Sequence, residues 1–379
     1  MTELRTLSDA ADASGPSGPA PLDGTPAVAD RARGVDARLP SMWTAVTPAR
    51  VVTTSAVFLL AMFAAPALLN AYWMQIIMTM VFYTAVTIGL NVLVGRVGLY
   101  SLCQIPLVAA GVWFALRIKQ EVDLPFPLLL LATGLLTGVV GVVIGLPALR
   151  LKGLYLALIT LMGAGAITLV LSVVKLPNGG SGFWGFDKSI ASGVIRLGRP
   201  SVAESDVAYY RYTVVVVAIL LILFAWHLRG KPGRAWAAIR QSQVTAVAAG
   251  VNTTLYKLWA FALSAFAAGI GGAMIAAGPG GVSVSQFPVE GSILLLAVVL
   301  MGGVYSIWGA VVAAFLLRVF PRILDQKLGL PSEILTMLFG VGIIQVLMAN
   351  PAGIVSDLEK LFGRLGRLGR RVAGRGDAA

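Results

Sequence analysis

The chain has a single cysteine, Cys103, and a single histidine, His227. One thiol closes no disulfide within the chain, and one thiol with one imidazole on separate apolar stretches supplies neither a metal set nor a nucleophile with its base. Charge is scarce as well. Only 12% of the 379 residues are charged, against about a quarter in a soluble domain. The eight clear apolar stretches hold no Asp or Glu in their interiors, Glu333 lying only near one end. An ion-coupled carrier buries such carboxylates to carry protons or sodium, so that class is disfavoured. A Gly-rich phosphate loop of the Walker type is also missing, so any energy from ATP has to come through another chain, and no cofactor is expected on this one.

What the chain has in abundance is apolar sequence. Hydrophobic residues make up 58% of it, with a mean hydropathy of +0.85. Runs near the roughly 20 residues needed to span a bilayer occur at 51–69, 75–94, 101–118, 126–146, 153–174, 212–228, 258–277 and 330–349. A further stretch, 291–320, is broken by Gly302, Gly303 and Gly309. Hydrocarbon satisfies no free backbone amide, so these runs must be helices. The expectation is an all-α polytopic membrane protein with about ten transmembrane or re-entrant helices. Residues 291–320 are expected to form a bent pair hinged at 301–309 that returns to the side it left.

Three regions follow. Residues 1–50, rich in Ser, Pro, Ala and Asp without apolar periodicity, read as a disordered tail and carry no secretory signal. Residues 51–350 form the membrane domain. Residues 351–379 form a basic tail, with Leu358, Leu361, Phe362, Leu365, Leu368 and Val372 at helical spacing, suited to lie on anionic inner-leaflet lipid. Lys and Arg resist translocation. Arg31, Arg33, Arg38, Arg50, Arg96, Arg150, Lys152, the cluster Arg229, Lys231, Arg234 and Arg240, and the run Arg364, Arg367, Arg370, Arg371 and Arg375 therefore place both termini and the 229–257 loop in the cytoplasm, and leave the 175–207 loop outside. The same rule explains the pI of about 10.1 without nucleic acid as a partner. Tyr72, Trp73, Tyr209, Tyr210, Tyr212 and Trp259 sit at span ends, as an aromatic belt would, and His227 reads as an interfacial anchor.

The most informative segment is 233–257, a hydrophilic interval between two apolar runs. Alanine-rich from Ala235 to Ala249, it should be helical up to Gly250, a residue suited to the left-handed position after a helix end. Asn252 and Thr253 can cap a new helix. Such a pair of capped turns projecting from a membrane protein reads as a docking element for a partner. A second feature is an internal echo: LNVLVGRVGLYSL (90–102) and VVLMGGVYSIWG (298–309) each run from apolar sequence through a glycine break to Tyr-Ser. Glycine-interrupted helices at corresponding places in two halves point to a translocation path; close helix packing is the other reading. The path reading puts Asn91, Gly95, Gly98 and Ser101 opposite Gly302, Gly303 and Ser306.

Five colinear stretches, GLNVLVGRVGLYSL (89–102), LRLKGLYLALITL (149–161), NGGSGFWGF (178–186), residues 233–274 and residues 292–314, make the region from about Tyr83 to Asn350 resemble the LivM-type permeases of branched-chain amino acid ABC importers, a family that also moves urea and amides. The resemblance implies an ABC importer permease fold in the plasma (inner) membrane. It also implies two ABC ATPase subunits that hydrolyse ATP, a second and distinct permease subunit, and an external substrate-binding protein. The 229–257 loop becomes the coupling loop that enters a cleft of the ATPase, with Arg234, Arg240, Ala246, Gly250 and Asn252 as its key positions. Two departures stand out. The family's coupling loop carries acidic residues where this chain has Gln241, Gln243 and Val247, and a His is common where this chain has Gln104.

Overall fold

In the computed structural model, Asn70 opens a long helix after the helical residues 61–68: its Oδ1 accepts from the Trp73 amide at 3.0 Å and so satisfies one of the donors that a helix start leaves free. Residues 61–149, 153–173, 197–279 and 286–329 are described, with Leu151, Val282 and scattered positions between 334 and 355. The tails 1–50 and 356–379, most of the loop expected at 175–207, and most of the run expected at 330–349 lie outside the described residues. Helix α1 spans Ala71–Val92 and passes into a π-helical turn, Leu93–Val97, which Gly98 closes in the left-handed conformation (φ 77°). Then follow α2 (Gln104–Glu121), α3 (Phe126–Ala148), α4 (Leu154–Val173), α5 (Asp206–Arg229), α6 (Lys231–Gln241), α7 (Gln243–Ala248), α8 (Thr253–Ala276), α9 (Gly291–Gly302), α10 (Ile307–Arg318) and α11 (Phe320–Leu328).

Six of the described helices are long and apolar enough to cross a membrane: Ala71–Val97, Phe126–Pro147, Tyr155–Val173, Asp206–Arg229, Thr253–Ala276 and Ile307–Lys327. The chain is a multi-pass helical membrane protein. Helix α2 is not among the six, because Arg117, Lys119 and Glu121 crowd its last turns; it also starts at Gln104, where an apolar run from 101 was expected. The 291–320 stretch breaks as expected, between α9 and α10. The return leg differs from the expectation, however: α10 and α11 together make a segment long enough to cross by itself, Ile307–Lys327.

Helix α8 is the hub and packs on α1, α2 and α3. Lipid supplies no hydrophobic drive between helices, so close backbone approach through small residues has to hold them together. A Cβ added at Gly272 would lie 2.3 Å from the Val108 carbonyl oxygen, and one at Gly111 would lie 2.6 Å from the Gly269 Cα. Helices α1 and α8 are antiparallel, with Gly89 against Ser264 and Gly271 against Phe82 and Val86. The aromatic-belt expectation fails at two positions. Tyr209 and Tyr210 are fully buried, because their hydroxyls find carbonyl partners, Met274 inside the bundle at 2.8 Å and Ala61 nearer its surface at 2.7 Å. Tyr72 is exposed as a belt residue should be, and His227 meets Trp226 edge-on and lies tilted against Trp259.

Candidate functional site: a docking hairpin and two helix breaks

The segment expected to be one helix from Ala235 to Ala249 is two. Ser242 is extended (φ −159°, ψ 121°) and caps α7, its Oγ accepting from the Thr245 amide at 3.3 Å. Alanine favours continuing the helix, but a serine that can accept from a free amide three residues ahead favours restarting it. The end of α7 is as the sequence predicts. Gly250 adopts φ 77°, its amide donates to the Val247 carbonyl at 2.9 Å, and the Val251 amide donates to the Ala246 carbonyl at 2.9 Å. These two bonds form a Schellman closure. Asn252 Oδ1 then accepts from the Leu255 amide at 3.1 Å and opens α8.

The two halves of this hairpin face different surroundings. Helix α6 does not project into solvent, contrary to expectation, but lies against the bundle. Trp236 is fully buried, with Nε1 donating to the Tyr256 carbonyl at 2.8 Å, and Ile239 is buried beside it. Gly233 explains how α6 gets so close, since a Cβ there would fall 1.9 Å from the Leu228 carbonyl oxygen. Helix α7 is the free part. Only Ala246 is turned in, while Val244 is 81% exposed and Val247 59% exposed. The exposed surface of the hairpin tip is largely apolar, with Gln241 and Thr245 beside the valines, and valine stands at a place where the resemblance leads one to expect acid. Arg234 is exposed on α6, and Arg240 is turned toward the bundle.

The two glycine breaks meet. A Cβ on Gly95 would fall 1.8 Å from the Val304 carbonyl oxygen, and one on Gly309 would fall 1.8 Å from that of Gly303. Asn91 Nδ2 donates to the carbonyls of Gly303 and Ser306, at 3.2 and 3.3 Å, and Thr87 Oγ1 donates to that of Ala310 at 2.8 Å. Gly303 is held at φ 111°, a conformation open only to glycine. Asn91, Gly95, Gly302, Gly303 and Ser306 therefore form one buried cluster. The contacts among them are as tight as packing allows.

Two of the predicted residues are placed differently. Gly98 is exposed, and the nearest atom to a Cβ there is Arg240 Cγ at 3.7 Å. Ser101 points to the Cys103 sulfur at 3.1 Å and makes no hydrogen bond to the second break. It belongs to an irregular segment, 98–103, that runs back into the bundle so that α2 starts deep inside. Gln104 Nε2 reaches the Ser264 and Val86 carbonyls at 3.2 and 3.4 Å. The Leu102 and Ile105 amides are taken up by Thr160 Oγ1 at 3.0 Å and Ser292 Oγ at 3.1 Å. Non-helical backbone at membrane depth survives only when protein partners satisfy it in this way. Sequence reasoning missed Thr160, Ser264 and Ser292, because nothing local distinguishes a serine or threonine that serves a distant amide. Gln104 was singled out in the sequence, and the structure gives it a role: it ties α1, α2 and α8 together.

A helical membrane bundle with exposed valines at the tip of one hairpin and two interlocked helix breaks behind it has the build of a transport permease. The chain belongs to the family described as branched-chain amino acid transport system / permease component, whose model matches residues 72–347. Two curated proteins named "high-affinity branched-chain amino acid transport system permease protein LivM" are similar to it. The one from Salmonella typhimurium is 30% identical over 297 residues, 73% of this chain and 68% of its own length. The one from Escherichia coli is 30% identical over 291 residues, 72% of this chain and 67% of its own length. Both are named as transport permeases and not as enzymes. No solved structure matches the chain.

Proposed function

We propose that this chain is the permease subunit of an ATP-driven importer for branched-chain amino acids or similar small, net-neutral polar solutes such as urea and short amides. In this reading two ATPase subunits hydrolyse the ATP, a second permease completes the pore, and an external binding protein delivers the solute. The observation that carries the reading is the hairpin: a helix clamped to the bundle by Trp236, followed by a short helix with Val244 and Val247 exposed, suits a lever gripped by a partner. The chemistry of the buried groups supports a neutral cargo. The polar groups at and beside the breaks include Thr87, Asn91, Gln104, Ser264, Ser292 and Ser306; no carboxylate is buried among the described residues, and the buried cations Arg117 and Lys257 lie toward helix ends. Such dipoles can replace the hydration of a zwitterion or an amide without holding a net charge.

Proteoliposomes holding the permease, its partner permease, the ATPases and the binding protein test this reading. Labelled leucine should accumulate only with hydrolysable ATP, and competition by valine, isoleucine, urea and acetamide ranks the cargo. Accumulation on a sodium or proton gradient without ATP would overturn the reading.

The proposed orientation puts the 229–257 hairpin and both termini in the cytoplasm. With the buried Cys103 replaced by serine, a single cysteine at Val244 should react with a membrane-impermeant reagent only from the cytoplasmic side. One at Val202, 80% exposed just before the opposite end of α5, should react only from outside. Labelling of both from one side would refute this orientation.

A further inference from the structure

We propose that Arg240 is the strut through which the docking hairpin moves both helix breaks at once, a positioning residue of the transport cycle; the proposal rests on the importer reading above. Arg240 sits at the end of α6, the half of the hairpin that Trp236 and Ile239 fix to the bundle. Its guanidinium makes three polar contacts. Nη1 donates to the Val94 carbonyl at 3.1 Å and to the Gly95 carbonyl, both in the π-helical turn. Nη2 donates to the Tyr305 hydroxyl at 3.0 Å, within the second break, and the guanidinium carbon lies 5.0 Å from that ring's centroid.

A helix cap accounts for only part of this. The last carbonyls of a helix keep spare acceptor capacity, Val94 already taking the Gly98 amide at 3.2 Å, and the helix dipole favours a cation there, so Nη1 on Val94 and Gly95 is ordinary capping. Capping gives no reason for the same group to reach across to Tyr305. The planar fork of an arginine presents several N–H groups in fixed directions, so one side chain can hold both partners. The two breaks are already locked together by Gly95 against Val304 and by Asn91 on Gly303 and Ser306. Arg240 thus grips a single joined unit, and a shift of α6 has no slack to take up before that unit moves. The π-helical turn offers the place to yield, since such turns are locally strained and recur at functional sites.

The experiment compares Arg240→Lys, Arg240→Gln, Tyr305→Phe and the Arg240→Gln/Tyr305→Phe double variant in the assembled importer, and reads ATP hydrolysed per solute accumulated together with the ATPase retained on the complex. The glutamine variant should raise that ratio about tenfold, and the phenylalanine variant, which removes only the hydroxyl, about threefold. The lysine variant should not restore it, because one ammonium cannot span both partners. The double variant should be no worse than Arg240→Gln alone, as expected for one shared link. ATPase association should stay at the wild-type level throughout. A wild-type ratio in Arg240→Lys and Tyr305→Phe, or folded complex falling in step with uptake, would overturn the strut and leave Arg240 a helix cap. Failure of the wild-type complex to couple any uptake to ATP would instead overturn the importer reading.

Discussion

Gly95→Val will leave little folded protein in the membrane, whereas Gly98→Val will leave most of it. The two glycines are three residues apart but face different neighbours. A Cβ on Gly95 would fall 1.8 Å from the Val304 carbonyl oxygen and 2.8 Å from its carbon. These are backbone atoms that cannot rotate away, so the breaks would have to separate, and Asn91 would lose its bonds to Gly303 and Ser306. Overpacking in a tight core costs about 1–3 kcal/mol and more when backbone must move. Each buried group left unpaired adds about 1–3 kcal/mol. Gly98 is exposed, with only the Arg240 side chain nearby, and its substitution meets chiefly the left-handed backbone, a cost of about 1–2 kcal/mol. Monodisperse protein after detergent extraction, set against uptake, separates the two effects. We expect Gly98→Val to slow uptake more than it lowers folded protein, because the added side chain presses on Arg240. If uptake and folded protein fell together at Gly98, packing alone would explain the breaks. Gly303 cannot serve in this comparison: at φ 111° and in contact with Gly309 and Gly353, any side chain there disturbs the fold itself.

Val244→Asp combined with Val247→Asp should weaken binding of the ATPase about a hundredfold while the permease folds normally. Both side chains are exposed, so the change costs the isolated permease little. If the partner surface matches the valines this chain carries rather than the acid its family has at Val247, two carboxylates there would be buried without partners. A loss of affinity on the order of a hundredfold follows if the valines are central anchors. Gly250→Val should act in the same direction but more weakly, since a Cβ there meets nothing within 4 Å and only the φ of 77° is strained. Copurification of the ATPase on tagged permease measures both. Wild-type recovery of the ATPase with the double aspartate variant would place the docking surface elsewhere.

Some of this could be read in the chain and some could not, for identifiable reasons. Gly250 and Asn252 were legible because a Schellman closure and an N-cap are decided within a few residues. The meeting of the two breaks was legible as an echo, apolar run, glycine and Tyr-Ser, in both halves. The restart at Ser242 was hidden by its alanine-rich setting, although a serine three residues before Thr245 is itself a capping cue. The burial of α6 was hidden because Trp236 and Ile239 look unremarkable in a segment of low hydropathy. Arg240 was recognised as part of the hairpin, but its partners at Gly95, 145 residues away, and at Tyr305, 65 residues away, depend on tertiary structure that a local pattern does not encode. Tyr209 and Tyr210 show the same limit: a tyrosine near a span end looks like a belt residue until a carbonyl on a distant helix is found for its hydroxyl.

In the proposed importer a motor grips this permease at the tip of the 229–257 hairpin. A photo-activatable cross-linking residue at Val247, in the complex assembled in lipid, tests it directly. The permease should join covalently to the ATPase subunit, and a control probe at Val202 should not. Cross-links from Val247 to lipid or to the partner permease alone, in a complex that still hydrolyses ATP and transports, would contradict it.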